Sequence, residues 1–390
     1  MKKIRLLRSI VFLENLLCIY RNFLFFNKKA RAIILIHITI ELVLYVLSIV
    51  NNSFIIYSYF HSDNRSMLIV FTTICCFYVV TFVSIVMGIL RSEEFKDLVT
   101  SLELINKFFT NNKTYLKSLG RSNTMIIAIT TILYCVTCIG IAVDKITLND
   151  FYEFTSSDVI WTVSSTLLEL RYQTECVVYF GIEYLFLIFT KHLNLLVKEA
   201  IKKVSLDNNG TVKDVPISSD AVTKNEVKRW ATIYRQLMMS SKLLQACFSL
   251  QIICVFVSAV INFITTAFRM VKVSVLGSIA TDMNEIIIVN LIFTLLYQNI
   301  GLVLIIVTGQ RVWNQILLLN VLLARLYNGI LIQPCRDTLR TLKNLQRMVV
   351  KNPVQIKMLS VLPVGSYMLP MFMTLSVSYI IVMLQFGHVV

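Results

Sequence analysis

Seven stretches of this chain are apolar for long enough to cross a hydrocarbon layer, at 32–50, 67–90, 124–143, 159–190, 246–268, 284–308 and 359–386, and polar connections separate them. A bilayer core of about 30 Å takes roughly 20 helical residues, which each stretch approaches or exceeds. Helices are required, because only they satisfy their own backbone in lipid without closing a barrel. The fourth stretch carries charge in its middle. The seventh contains Pro363, Gly365 and Pro370, which break helical hydrogen bonds near its inner end and mark either a hinge or a static kink.

The connections are patterned as well. Between 92 and 119, Phe95, Leu98, Leu102, Ile105, Phe108 and Phe109 recur at helical spacing behind Ser92-Glu93-Glu94, a cap and start. Residues 191–204 continue the fourth span and 222–245 lead into the fifth, with a turn-rich loop over 207–220 between them. The sixth helix runs on through Leu317, Leu318, Leu319, Leu322 and Leu323, and an amphipathic helix bearing Leu339, Leu342 and Leu345 is expected after Pro334. Ahead of the first span, Ile10, Val11, Leu13, Leu16, Leu17 and Tyr20 among Arg8, Glu14, Asn15 and Arg21 predict an amphipathic helix on the inner membrane surface. The fold class that follows is an all-α membrane protein of seven transmembrane helices.

Composition agrees, since 56% hydrophobic and 15% charged residues over 390 positions are too apolar for a soluble domain. The net charge of +15 sets the orientation. Lys and Arg crowd the N-terminal segment and the 91–123, 191–245 and 309–358 connections, while the alternate loops hold only Arg65, Lys145, Arg269 and Lys272. Basic loops are retained in the cytosol, so the N-terminus is expected inside and the C-terminus outside. That excludes a G-protein-coupled receptor, whose N-terminus lies outside. It also explains the charge without nucleic acid as a partner, because the basic residues are spread over membrane-proximal loops.

No cleavable signal peptide is expected in 1–31, which is basic at both ends. Of the outer sequons, Asn51 sits too close to the bilayer to be modified, which leaves Asn64 open to it; Asn112 and Asn209 are expected to face the cytosol and stay bare. Cys75, Cys76, Cys135, Cys138, Cys176, Cys247 and Cys254 lie in predicted spans, where thiols serve as small apolar side chains. His37, His61, His192 and His388 are scattered, so neither a metal site nor a cofactor is expected, and no catalytic His, Asp or Ser constellation points to an enzyme.

The final helix ends Ser378-Tyr379-Ile380-Ile381-Val382-Met383-Leu384-Gln385-Phe386. This closely resembles the seventh-helix signature of the insect gustatory receptor family, usually Thr-Tyr, five apolar residues and Gln-Phe, with Ser378 replacing one hydroxyl by another. The resemblance implies an inverted seven-helix, ligand-gated nonselective cation channel opened by small tastants. It also implies a tetramer, homomeric or with other receptor subunits, in the plasma membrane of chemosensory neurons. Gln385 and Phe386 would then lie at the gate. Gln385 shares a helix face with Ser378, Ile381 and Val382, so four copies would stack an amide ring on apolar rings. The alternative is that Gln385 only ends the helix at the headgroups. The chain then divides into a cytosolic amphipathic segment (1–31), six helices with an outer ligand pocket (32–308), cytosolic anchor helices (309–358) and a pore-lining seventh helix (359–390). The anchor's apolar stripes are covered either between subunits or within one.

Ligand candidates come from polar groups at membrane depth, which are expensive and usually functional or paired. These are Glu169, Arg171, Gln173 and Glu175 on the fourth span, where Arg171 and Glu175 are spaced to form their own salt bridge. Trp161, Tyr172, Tyr78, Asn262, Asn284 and Glu285 would add aromatic walls and further polar groups, whereas Glu41 and Glu183 are expected to make interhelical contacts. Aromatic surfaces with few hydroxyl-binding side chains favour bitter plant-type compounds over sugars. A secondary transporter is the reading from another class; it requires paired broken helices, and only the prolines of the last span resemble one.

Overall fold

The computed structural model describes residues 5–60, 65–149, 156–208, 222–276, 281–331, 336–358 and 362–386, nearly all helical. Helix α1 (Arg5–Leu16) turns through 17–26 into α2 (Lys28–Phe60), followed by α3 (Arg65–Leu90), α4 (Ser92–Phe109), α5 (Lys113–Asn149) and α6 (Ser156–Asn208). Helices α7 (Lys224–Leu276), α8 (Thr281–Ile330), α9 (Arg336–Lys351) and α10 (Met368–Phe386) complete the chain. The predicted spans fall one each in α2, α3, α5, α6, α7, α8 and α10. Among the described residues, α2, α5, α6, α7 and α8 are long and apolar enough to cross a membrane; α3 meets α4 at a 73° bend, and Met368–Val382 of α10 is shorter. Helices α6 and α7 have 53 residues each. At 1.5 Å per residue that is about 80 Å, more than twice the hydrocarbon thickness, so both continue well beyond it.

Local chemistry sets where helices start. Asn112 Oδ1 accepts from the N–H groups of Thr114 and Tyr115 at 2.9 and 3.2 Å, so the helix expected over 92–119 is cut at 110–112 and α5 starts afresh. At the head of α7, the Thr223 N–H donates to Glu226 at 3.0 Å and the Glu226 N–H donates to Thr223 Oγ1 at 3.2 Å, a reciprocal cap. The seventh span begins at Met368 and not at 359. Before it, β1 (Lys357–Met358) pairs antiparallel with β2 (Leu362–Pro363). Pro363 is therefore in a strand, Gly365 is in the following turn, and Pro370 is in the first helical turn, where N–H groups lack an intrahelical acceptor anyway. None of the three breaks a helix, so the expected hinge or kink is absent.

The core is organised around α6, whose residues from Arg171 to Thr190 are buried except for the half-buried Tyr184. Helix α8 lies along it so closely that a Cβ on Gly301 would come within 2.7 Å of Cys176 Cβ. The apolar stripe of α4 (Phe95, Leu98, Leu102, Ile105, Phe109) and that of α9 (Leu342, Leu345, Val349) are covered within this one chain. Polar ties fix α9 and the segment after it to α7. The Tyr234 hydroxyl donates to Asn352 O at 2.9 Å, Gln245 Nε2 donates to Gln355 O at 3.0 Å, and Lys224 pairs with Asp337 at 2.6 Å.

Two glycines should respond oppositely to a methyl group. Gly301→Ala forces α6 and α8 apart and is expected to cost about 1–3 kcal/mol. A Cβ on Gly120 in α5 meets nothing within 4 Å, so Gly120→Ala should stabilise by roughly 0.5–1 kcal/mol. Thermal midpoints of the detergent-solubilised protein check this, and shifts of the same sign would contradict the packing described.

Candidate ligand and pore sites

The polar residues of α6 divide into two groups. Arg171 and Glu175 do not pair with each other, contrary to their spacing. Arg171 Nη2 donates to Glu41 Oε2 of α2 at 2.8 Å, and its Nε donates to Leu17 O at 3.0 Å. Glu175 instead receives Arg21 Nη2 at 2.6 and 2.5 Å. Arg21 also pairs with Glu14, and its guanidinium lies 4.2 Å from the centre of the Phe248 ring. Arg21, Glu14 and Glu175 are at most 2% exposed. One face of the N-terminal segment, with Val11, Glu14, Leu17 and Cys18, thus packs into the bundle while Phe12 and Leu16 stay exposed, and Arg171 and Glu175 are paired inside the protein. Glu41 makes the interhelical contact expected of it. Glu183 is fully buried with no hydrogen-bond partner among the described residues.

The second group faces α8. Tyr297 Oη donates to Glu169 Oε2 at 3.1 Å, Gln173 Nε2 donates to Tyr297 O at 3.1 Å, and Tyr172 Oη donates to Gln298 O at 3.4 Å. Aromatic rings close around these contacts. Phe77 meets Tyr172 edge-on at 5.3 Å, Phe293 lies 5.7 Å from Tyr297, and the Tyr134 and Thr174 hydroxyls are 2.5 Å apart. Tyr78 is buried, its hydroxyl 3.5 Å from Ser164 Oγ and its carbonyl accepting from Tyr45. Helices α3, α5, α6 and α8 thus converge on an aromatic cluster with a carboxylate and amides at its centre. Gln173 Oε1, Thr294 Oγ1, Gln298 Oε1 and both amide atoms of Asn262 on α7 are buried without a hydrogen-bond partner among the described residues. Buried polar atoms are ordinarily paired, so these are natural partners for water or a small polar molecule. Tyr134, Tyr297 and Gln298 were not legible as site residues, because single aromatic and amide residues in an apolar helix read as packing. The side chains of Trp161, Asn284 and Glu285 lie outside the described residues.

A cavity of about 100 Å³ sits elsewhere, where α7 meets the hairpin and the foot of α10, between Ile253, Phe256, Met358, Leu362, Tyr367, Met368 and Met371. It has no charged or amide side chain to orient a ligand. Specific recognition needs placed polar groups, so the α3–α5–α6–α8 cluster is the better candidate.

Helix α10 packs through Met368, Phe372 and Ser376, with Phe372 6.1 Å from Phe256 and 5.4 Å from Phe263 of α7. Beyond Ser376 it is largely bare all round: Ser378, Tyr379, Ile381, Val382 and Gln385 are all exposed, and the Ser378 hydroxyl is satisfied by Thr374 O at 2.8 Å. No charged residue interrupts 359–386. The side chain of Phe386 lies outside the described residues.

Comparison with known proteins agrees with this architecture. A family model described as 7tm Chemosensory receptor matches residues 16–389. The insect olfactory receptor OR5 from Machilis hrabei superposes with a TM-score of 0.63 at 15% identity, covering 92% of this chain and 90% of that one. The same receptor in complex with eugenol gives 0.67 at 15% identity, covering 99% and 100%. Identity that low establishes the shared fold alone. No functionally curated protein matches the chain.

The ionic cluster makes a direct prediction. Arg21→Leu leaves two carboxylates buried and uncompensated, at an expected cost of about 3–5 kcal/mol. Fluorescence-detected size exclusion should show loss of the monodisperse peak, or a much lower thermal midpoint. A wild-type profile would mean that the cluster does not hold the N-terminal segment in place.

Proposed function

From the chain's membership of the seven-transmembrane chemosensory receptor family, which holds the insect gustatory and olfactory receptors, we propose that it is a gustatory receptor acting as a ligand-gated, nonselective cation channel. The observation that carries the reading is α10. Its signature Ser378-Tyr379 to Gln385-Phe386 ends a helix whose uncharged outer face is left uncovered by the rest of the chain. Four such helices around an axis would set a Gln385 amide ring above Ile381 and Val382. Apolar rings close a pore by dewetting, and an amide ring coordinates a cation once the constriction widens. Without carboxylates on α10, cation preference would come from amide and carbonyl dipoles or from the acidic outer loop with Asp144, Asp150, Glu153 and Asp158. The tetramer, the cytosolic N-terminus, and the plasma membrane of chemosensory neurons as its location belong to the same proposal.

The ligand would be a small, largely aromatic molecule of the bitter plant type. In support, OR5 has been solved with eugenol, and the cluster of Tyr172, Phe77, Phe293 and Tyr297 offers ring surface with a few polar groups. A sugar would need more hydroxyl-binding side chains than Glu169, Gln173 and Asn262 supply. The transporter alternative loses its footing, because the prolines of the last span do not interrupt a helix.

Whole-cell current from cells expressing the chain tests the proposal, with bitter compounds and sugars applied while G-protein signalling is blocked. A fast cation current that survives the block is expected. Gln385→Ala should change its conductance or gating while surface expression stays normal. Unaltered currents in Gln385→Ala would remove that residue from the pore, and ligand uptake without current would replace the channel by a transporter.

A further inference from the structure

The turn between α1 and α2 brings Cys18 against His37 and Glu41, which are one helical turn apart on α2, and none of the three has a part in the proposed channel mechanism. Cys18 Sγ lies 3.6 Å from His37 Nε2, and one oxygen of Glu41 joins them so that all three potential ligand atoms fall within 4.8 Å of one another. We propose that Cys18, His37 and Glu41 form a binding site for a divalent transition-metal ion, with Zn2+ the best fit.

Three observations support it. First, a tetrahedral centre with bonds of about 2.3 Å to sulfur and about 2.0 Å to nitrogen holds those atoms roughly 3.5 Å apart, so the sulfur–nitrogen pair already has the required separation. Second, the histidine is oriented. The hydroxyl of Tyr20 lies 2.9 Å from His37 Nδ1. An Nδ1–H donated to that hydroxyl fixes the tautomer that leaves Nε2 bare toward Cys18, the usual arrangement of a partner behind a metal-bound imidazole. Third, the site has both a closed and an open side. Cys18 is 4% exposed, Glu41 is partly covered, and His37 is exposed on α2, nine residues past Lys28. One sulfur, one nitrogen and one carboxylate oxygen from protein, with a fourth position not filled by protein, is a donor set that Zn2+ accepts and that hard ions such as Mg2+ do not favour.

Arg171 is the charge that opposes a cation here. Its guanidinium holds Glu41 Oε2 at 2.8 Å, which leaves the second carboxylate oxygen for the metal. On binding, Cys18 gives up its thiol proton to solvent, and the two negative ligands together with Arg171 leave the ion's charge half neutralised. At 1.5 Å per residue, His37 lies about 14 Å along α2 from Lys28. An ion there would clamp the 17–26 turn to the first membrane helix, beside the buried Arg21.

Cobalt substitution tests this on the purified full chain in detergent. One equivalent of Co2+ should produce a thiolate-to-metal charge-transfer band that Zn2+ displaces. Cys18→Ser should abolish the band, whereas replacing Cys135 and Cys138 together should leave it. His37 is exposed, so His37→Ala should fold normally and weaken Zn2+ binding by at least about tenfold; Tyr20→Phe should weaken it by about tenfold through the ring's orientation. A wild-type chain with no band, a band that persists in Cys18→Ser, or unchanged affinity in folded His37→Ala would each overturn the site.

Discussion

Charge carried into an apolar bundle has to be neutralised where it lies, and here that requirement centres on Arg21. Its guanidinium is held between Glu14 and Glu175 and covered by Phe248. A lone buried ion of either sign would cost several kcal/mol, so the three residues are stable only together. They join α1, the 17–26 turn, α6 and α7 in one place. The segment before the first span thereby becomes part of the core, and α6 becomes the helix against which the others are set.

This divides α6 by function. Arg171 and Glu175 are fixed by opposite charges on the N-terminal segment and α2. Glu169, Tyr172 and Gln173 turn toward α8 through neutral or singly charged hydrogen bonds and aromatic edges, which a ligand can replace at lower cost. Helix α7 touches both regions that matter: Phe248 lies under Arg21, and Phe256 and Phe263 hold Phe372 of α10. Helix α10 itself packs through Met368, Phe372 and Ser376 and is largely bare beyond them. In the proposed channel, assembly around a shared axis would cover the uncharged bare face that carries Ser378, Ile381, Val382 and Gln385.

Much of this was legible in the sequence because lipid imposes a simple rule: long apolar runs must be helices, and each of the seven runs found its own. The signature from Ser378 to Phe386 led to the right family. What was not legible has specific causes. Asn112 ends one helix and starts another through a side-chain cap that hydrophobic periodicity does not register. Two-residue strands at 357–358 and 362–363 are too short to show alternation, so the seventh helix was started early. The spacing of Arg171 and Glu175 pointed to a local salt bridge, but partners 130 and 154 positions away, brought in by α2 and the 17–26 turn, take both charges. Cys18 and His37 meet only because of the turn at 17–26, and nothing in their spacing announces it.

In the proposed function this chain itself conducts ions through a pore lined by α10. The most direct measurement is single-channel recording from the purified chain reconstituted into planar bilayers, with ligand added and no other protein present. Discrete, ligand-dependent cation openings whose amplitude changes in Gln385→Ala are the predicted result. Ligand binding to the reconstituted chain with no openings, or openings indifferent to residue 385, would contradict the account.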